Sequence, residues 1–156
     1  MKYALLQWLA CPACGAQDLG LETRKVHTTS VWNGRIPEGT PGYDAATGQL
    51  REVEEGTLTC PDCGAHYTIA NGIPRMVLGE ADLATSAHTQ TRFDASAPEW
   101  EQAFLDFVAP LTARDFVGML ALDVGCGFGR SAYFAARFGA EVVAIDLDAA
   151  ILESCR

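Results

Sequence analysis

Two near-identical runs, Cys11-Pro12-Ala13-Cys14-Gly15 and Cys60-Pro61-Asp62-Cys63-Gly64, hold the residues of this chain best suited to chemistry. Two residues between cysteines let one tight turn aim both thiolates at a single ion, and the glycine after each pair can take the positive φ that ends the turn. Two such turns supply four thiolates at a tetrahedral centre. The spacing therefore predicts a closed zinc site built from Cys11, Cys14, Cys60 and Cys63. A redox dithiol pair or an iron centre is the alternative use of the same residues. With sulfur in every position nothing is left for water or substrate, so the expected role of the metal is to fold a loop-rich module with little core of its own. His66 lies close by in sequence, but the four cysteines already fill the shell and it is read as an ordinary side chain.

A second constellation is Asp123-Val124-Gly125-Cys126-Gly127-Phe128-Gly129, followed by a carboxylate at Asp146. A dinucleotide fingerprint would place a small residue three positions after Gly127, where this chain has Arg130. The turn thus suits a ligand with no pyrophosphate to cradle. Cys126 has no neighbouring histidine to activate it as a nucleophile.

These residues need elements to position them. Residues 1–79 carry both cysteine pairs, separated by a polar stretch without sustained periodicity that is read as a long loop or an extended hairpin. Asn71-Gly72 marks a tight turn between two short apolar segments. Residues 80–98 read as an Ala- and Thr-rich linker, and residues 99–156 as the start of a second domain. That domain opens with a packing helix whose apolar face is Trp100, Phe104, Phe107, Val108 and Leu111, with Glu99 and Glu101 in its first turn. Met119 to Val124 reads as a buried parallel strand, Arg130 to Phe138 as a helix closed by Gly139, and Glu141 to Asp146 as a second strand. Such a strand-turn-helix-strand unit founds a doubly wound sheet.

Composition narrows the possible partners. The formal net charge is -9, and the arginines and lysines are scattered, which disfavours nucleic acid as the main contact. No stretch approaches the roughly 20 apolar residues needed to cross a bilayer. The short apolar run ahead of Cys11 is broken by Gln7 and carries Trp8, so it does not read as a secretion signal. The expectation is a cytoplasmic chain with no membrane contact.

The stretch from Leu5 to Val77, with its Leu-rich opening, two cysteine knuckles and closing Tyr67-Thr68-Ile69 and Gly72-Ile73-Pro74 pair, resembles the Trm112-like zinc ribbon family. Its long spacer between Cys14 and Cys60 departs from that family and is read as an inserted loop. Asp123 to Gly129 resembles the first motif of class I S-adenosylmethionine-dependent methyltransferases. Together the resemblances imply an α/β chain: a small N-terminal zinc ribbon followed by an incomplete Rossmann-like, doubly wound sheet, with Arg156 inside what would be the next helix. They imply two cofactors, structural Zn2+ and S-adenosylmethionine. Gly125, Gly127 and Gly129 would bring the backbone close to the methionine part of the latter, with Cys126 a small filler. Asp123 would hold the turn or meet the cofactor's amino group, and Asp146 would accept hydrogen bonds from the ribose hydroxyls. Catalytic residues stay unassigned, because the acceptor pocket belongs on loops after later strands, and this stretch alone is expected to be inactive. The expected acceptor is a small molecule, glycan or lipid rather than a nucleic acid. The alternative from another class is a non-catalytic zinc module that binds or activates a partner methyltransferase.

Overall fold

The computed structural model describes residues 1–30, 39–78 and 97–155, and the chain divides into two compact units, Met1–Asp82 and Leu83–Arg156. Most of the expected linker, and residues 31–38 of the expected inserted loop, lie outside the described residues.

The first unit is a five-stranded antiparallel sheet. Strands β1 (Gly20–Ser30) and β3 (Gln49–Thr59) pair along their whole length, from Gly20 opposite Thr59 to Ser30 opposite Gln49. The stretch between the cysteine pairs is thus an extended hairpin as far as it is described. A short β2 (Tyr43–Asp44) returns along the other side of β3. Asp44 closes the turn that follows: its carboxylate accepts from the Ala46 N–H and the Thr47 hydroxyl, both at 2.9 Å. Strand β4 (His66–Ala70) adds to β3 and leads into β5 (Ile73–Pro74) through Asn71-Gly72, both at positive φ as a two-residue hairpin turn requires. The Leu-rich opening is a 3-10 helix, Tyr3–Trp8. Ahead of it, Met1 exchanges two backbone hydrogen bonds with Val53. Val53, Leu58, Tyr67 and Ile69 form the core together with Met1, Leu19, Cys11 and Cys60, so two of the four cysteines are themselves core residues.

At Gly56 the hairpin leaves no room for a side chain. A Cβ there would stand 2.5 Å from the Glu22 carbonyl oxygen and 3.3 Å from Val53 Cγ1, beside the irregular register of β1 around Lys25. The obstacle is backbone and cannot turn aside. Gly56→Ala is therefore expected to destabilise the unit by about 1–3 kcal/mol, the usual cost of overpacking, read as a lower urea midpoint at unchanged slope.

The second unit begins with α1 (Pro98–Phe107), which has Pro98 at its start and Glu99 and Glu101 in its first turn. Phe104 is buried against Phe116 and Phe134, with ring centroids 5.4 and 5.9 Å away. The apolar face expected from the spacing is only partly realised. Phe107, the last helical residue, is 80 % exposed, and Leu111 lies beyond the helix and is exposed. Periodicity puts Phe107 on the same side as Phe104, but burial depends on where the partner rings gather, and they gather around Phe104.

Strand β6 (Leu120–Val124) pairs in parallel with β7 (Glu141–Ile145), and α2 (Arg130–Arg137) connects them, giving a Rossmann-like start. Gly139, at positive φ, ends α2 as expected. The expectation of a strand buried on both sides is corrected: Leu120, Leu122 and Val124 are exposed, alternating with half-buried Ala121 and Asp123. Among the described residues one layer packs on this pair. Its core of Phe104, Phe116, Phe134 and Ala135 is joined by Met119, Phe138 and Val142. A short α3 (Ala149–Ser154) follows, capped by the Asp148 carboxylate, which accepts from the N–H groups of Ala150 and Ile151.

Candidate functional site

The two cysteine knuckles have the same local construction. The N–H of Gly15 donates to the Cys11 carbonyl at 2.8 Å and that of Gly64 to the Cys60 carbonyl at 3.1 Å, while Cys11 and Cys60 donate back to Ala16 and Ala65 at 2.7 and 2.8 Å. Gly15 and Gly64 have φ of 78° and 72°, the conformation their place after each pair called for. Two equivalent turns at one end of the sheet bring four sulfurs together.

The sulfurs of Cys11, Cys14, Cys60 and Cys63 all lie within 4.8 Å of one another. Cys11 and Cys63 are 3.6 Å apart, and Cys14 and Cys60 are 3.5 Å apart. A tetrahedral zinc thiolate centre with bonds near 2.3 Å has sulfur-sulfur edges of about 3.8 Å, so this cluster is sized for such an ion. His66 is outside it, with Nδ1 3.1 Å from the Thr59 hydroxyl.

The electrostatics point the same way. The Tyr67 hydroxyl, 3.0 Å from Cys11, holds that thiol down at about 6. Cys14 is pushed up to about 12: the Ala16 N–H pulls it down, but the Cys60 and Cys63 thiols beside it outweigh that. Four thiols this close cannot all ionise by themselves, and a divalent cation is what would let them do so. Tyr67 is pushed up to about 12, chiefly by its bond to Cys11. Nothing in the spacing of the cysteines announces Tyr67; its sequence signals are its place on a strand adjoining the second knuckle and in the closing Tyr67-Thr68-Ile69 run.

In the second unit the glycine turn sits at the ends of the parallel pair. The N–H groups of Gly125 and Cys126 both donate to the Ile145 carbonyl, at 2.8 and 3.0 Å, which ties the end of β6 to the end of β7. Gly125, Gly127 and Gly129 have φ of 72°, 54° and 75°. A Cβ at Gly125 would project into open space, so backbone conformation rather than crowding by this chain calls for glycine there.

The structure places both sequence-derived carboxylates beside this turn, one on it and one on the helix that follows. One Asp123 oxygen accepts from the Ala132 N–H at 3.1 Å and fixes the first turn of α2. One Asp146 oxygen accepts from the Gly127 N–H at 2.8 Å, and the other from the Asp148 N–H at 2.9 Å. Asp146 thus binds the turn itself and keeps further lone pairs for an incoming hydroxyl. Cys126 is half-buried, and burial pushes its thiol up to about 11, with Asp123, Cys155 and Asp146 adding to the shift. A thiol held protonated is a poor nucleophile, which suits a filler.

Two contacts were not foreseen. The Cys155 thiol donates to the Gly127 carbonyl at 3.2 Å, and the Arg130 guanidinium lies 5.0 Å over the Trp100 ring, tying the start of α2 to α1. Both join residues roughly thirty positions apart and leave no local trace in the sequence.

Comparison with known proteins gives one match within each unit. Residues 2–72 match the family described as Trm112p-like protein, and residues 122–156 match the family described as methyltransferase domain. No curated protein matches the chain. Among the described residues no helix is long and apolar enough to cross a membrane.

Proposed function

With a Trm112p-like module and a methyltransferase domain in one chain, we propose that the protein is an S-adenosylmethionine-dependent methyltransferase whose N-terminal ribbon is folded by zinc and whose glycine turn receives the cofactor. The observation that carries this reading is the set of contacts that fixes the turn: Asp123 on the Ala132 N–H of α2, Asp146 on the Gly127 N–H, and three positive-φ glycines after the first of two parallel strands. S-adenosylmethionine supplies an activated methyl group and leaves as a neutral thioether. The chain's own contribution at this site is positioning. Gly125 and Gly127 would let the backbone approach the methionine part, and Asp146 would orient the ribose. The acidic chain, with its scattered basic residues, favours a small-molecule, glycan or lipid acceptor over nucleic acid. A cytoplasmic location is part of the same reading.

Calorimetric titration of the zinc-loaded protein, as its source makes it, with S-adenosylhomocysteine should show one saturable site. Asp146→Asn, which loses the charge but keeps one acceptor, should weaken that binding about 10–100-fold, the range for a hydrogen bond to a charged group. No saturable binding by folded, zinc-loaded protein would sink the enzyme reading and leave the partner-binding module in its place.

A further inference from the structure

We propose that the Tyr67 hydroxyl is an outer-sphere donor to the Cys11 thiolate, and that this hydrogen bond keeps the metal in the four-cysteine site. The inference rests on reading that site as a metal centre and adds a residue that the cysteine pattern does not contain.

Tyr67 follows the second knuckle, yet its hydroxyl reaches the first, meeting Cys11 at 3.0 Å across 56 positions of sequence. Its place is set by the sheet: Tyr67 stands opposite Leu58 in the β3–β4 ladder, and its ring is buried in the same core as Val53, Leu58 and Ile69. Packing therefore delivers the hydroxyl already oriented. A buried tyrosine O–H needs a partner, and here the partner is a sulfur.

The four ligands are not alike in this respect. Cys14 and Cys63 are exposed, whereas Cys11 and Cys60 are buried. Among the described residues Cys11 is the one ligand that receives a side-chain hydroxyl. A zinc ion with four thiolates carries a net charge of about −2, and donors to sulfur disperse it. The effect is largest at a buried sulfur, where water cannot take the donor's place. Without the hydroxyl, the Cys11 sulfur keeps its backbone contacts with Ala13 and Cys14 but loses its side-chain donor, so the charge of the centre is less well dispersed at its buried side.

The test uses the whole chain, loaded with Co2+ for spectroscopy and Zn2+ for affinity. Tyr67→Phe keeps the ring and removes only the donor. Its thiolate-to-cobalt charge-transfer band should move to lower energy, and competition with a chromophoric chelator should show zinc held about 10–100-fold less tightly. A ring-fluorinated tyrosine placed at position 67, a stronger donor of nearly the same shape, should move the band the opposite way. An unmoved band in Tyr67→Phe overturns the proposal even if affinity falls, because packing loss alone would lower affinity. Should Tyr67→Phe fail to fold, the fluorinated protein decides alone, and an unshifted band overturns the proposal. Failure of the unaltered chain to bind either metal would instead refute the metal reading, and this inference with it.

Discussion

Stripping the metal from the four-cysteine site should unfold the first unit while leaving the second folded. Cys11 and Cys60 belong both to the four-sulfur cluster and to the core, so a metal there would link the two knuckles to the packing of the sheet. Structural zinc in small domains binds with roughly 10–16 kcal/mol, as large as the whole of the roughly 5–15 kcal/mol of net stability a domain usually has. Far-ultraviolet circular dichroism during chelator titration should show loss of strand signal, and Cys60→Ser should reproduce it. The pH dependence has a definite sign. Metal binding requires thiolates, so its stabilising contribution is present where the cysteines are ionised on the metal and is lost as pH falls and protons displace it. A strand signal that survives complete metal removal would mean that the apolar core suffices without the ion.

Phe134→Ala should be the most damaging single substitution in the second unit. Phe134 is 0 % exposed and lies among the rings of Phe104, Tyr133 and Phe138. Truncating a fully buried phenylalanine costs about 3–5 kcal/mol through lost transfer energy and the cavity left behind. Because α2 begins directly after Gly129, loosening its packing should also loosen the glycine turn, and binding of S-adenosylhomocysteine should fall with stability. Phe107→Ala is the control. At 80 % exposure Phe107 should change the denaturant midpoint by no more than about 0.5 kcal/mol equivalent. Equal effects of the two substitutions would contradict the packing described for α1.

The candidate sites were legible where their geometry is local. Each cysteine knuckle is a turn of a few adjacent residues, so residue type and spacing suffice to bring its two sulfurs together, and the same holds for Asn71-Gly72 and for the three glycines after Asp123. The two carboxylates were legible as a pair because each lies at the end of an apolar strand, although the structure shows Asp146 also bonded to the turn's own Gly127 N–H and Asp123 to the Ala132 N–H of α2. Phe107 was misplaced because a helical period reports which side a residue faces and says nothing about where the opposing rings end.

From the order of its residues alone, the chain determines its two paired-cysteine knuckles and the glycine turn, since each depends on backbone conformations that adjacent residues impose. Tertiary structure decided the rest: the full-length pairing of β1 with β3, the docking of Met1 on Val53, the reach of Tyr67 to Cys11 and the choice of Phe104 over Phe107 for the core. Each of these joins residues brought together by packing or by register, which is selected by the whole apolar face at once and leaves no mark on any short run of sequence.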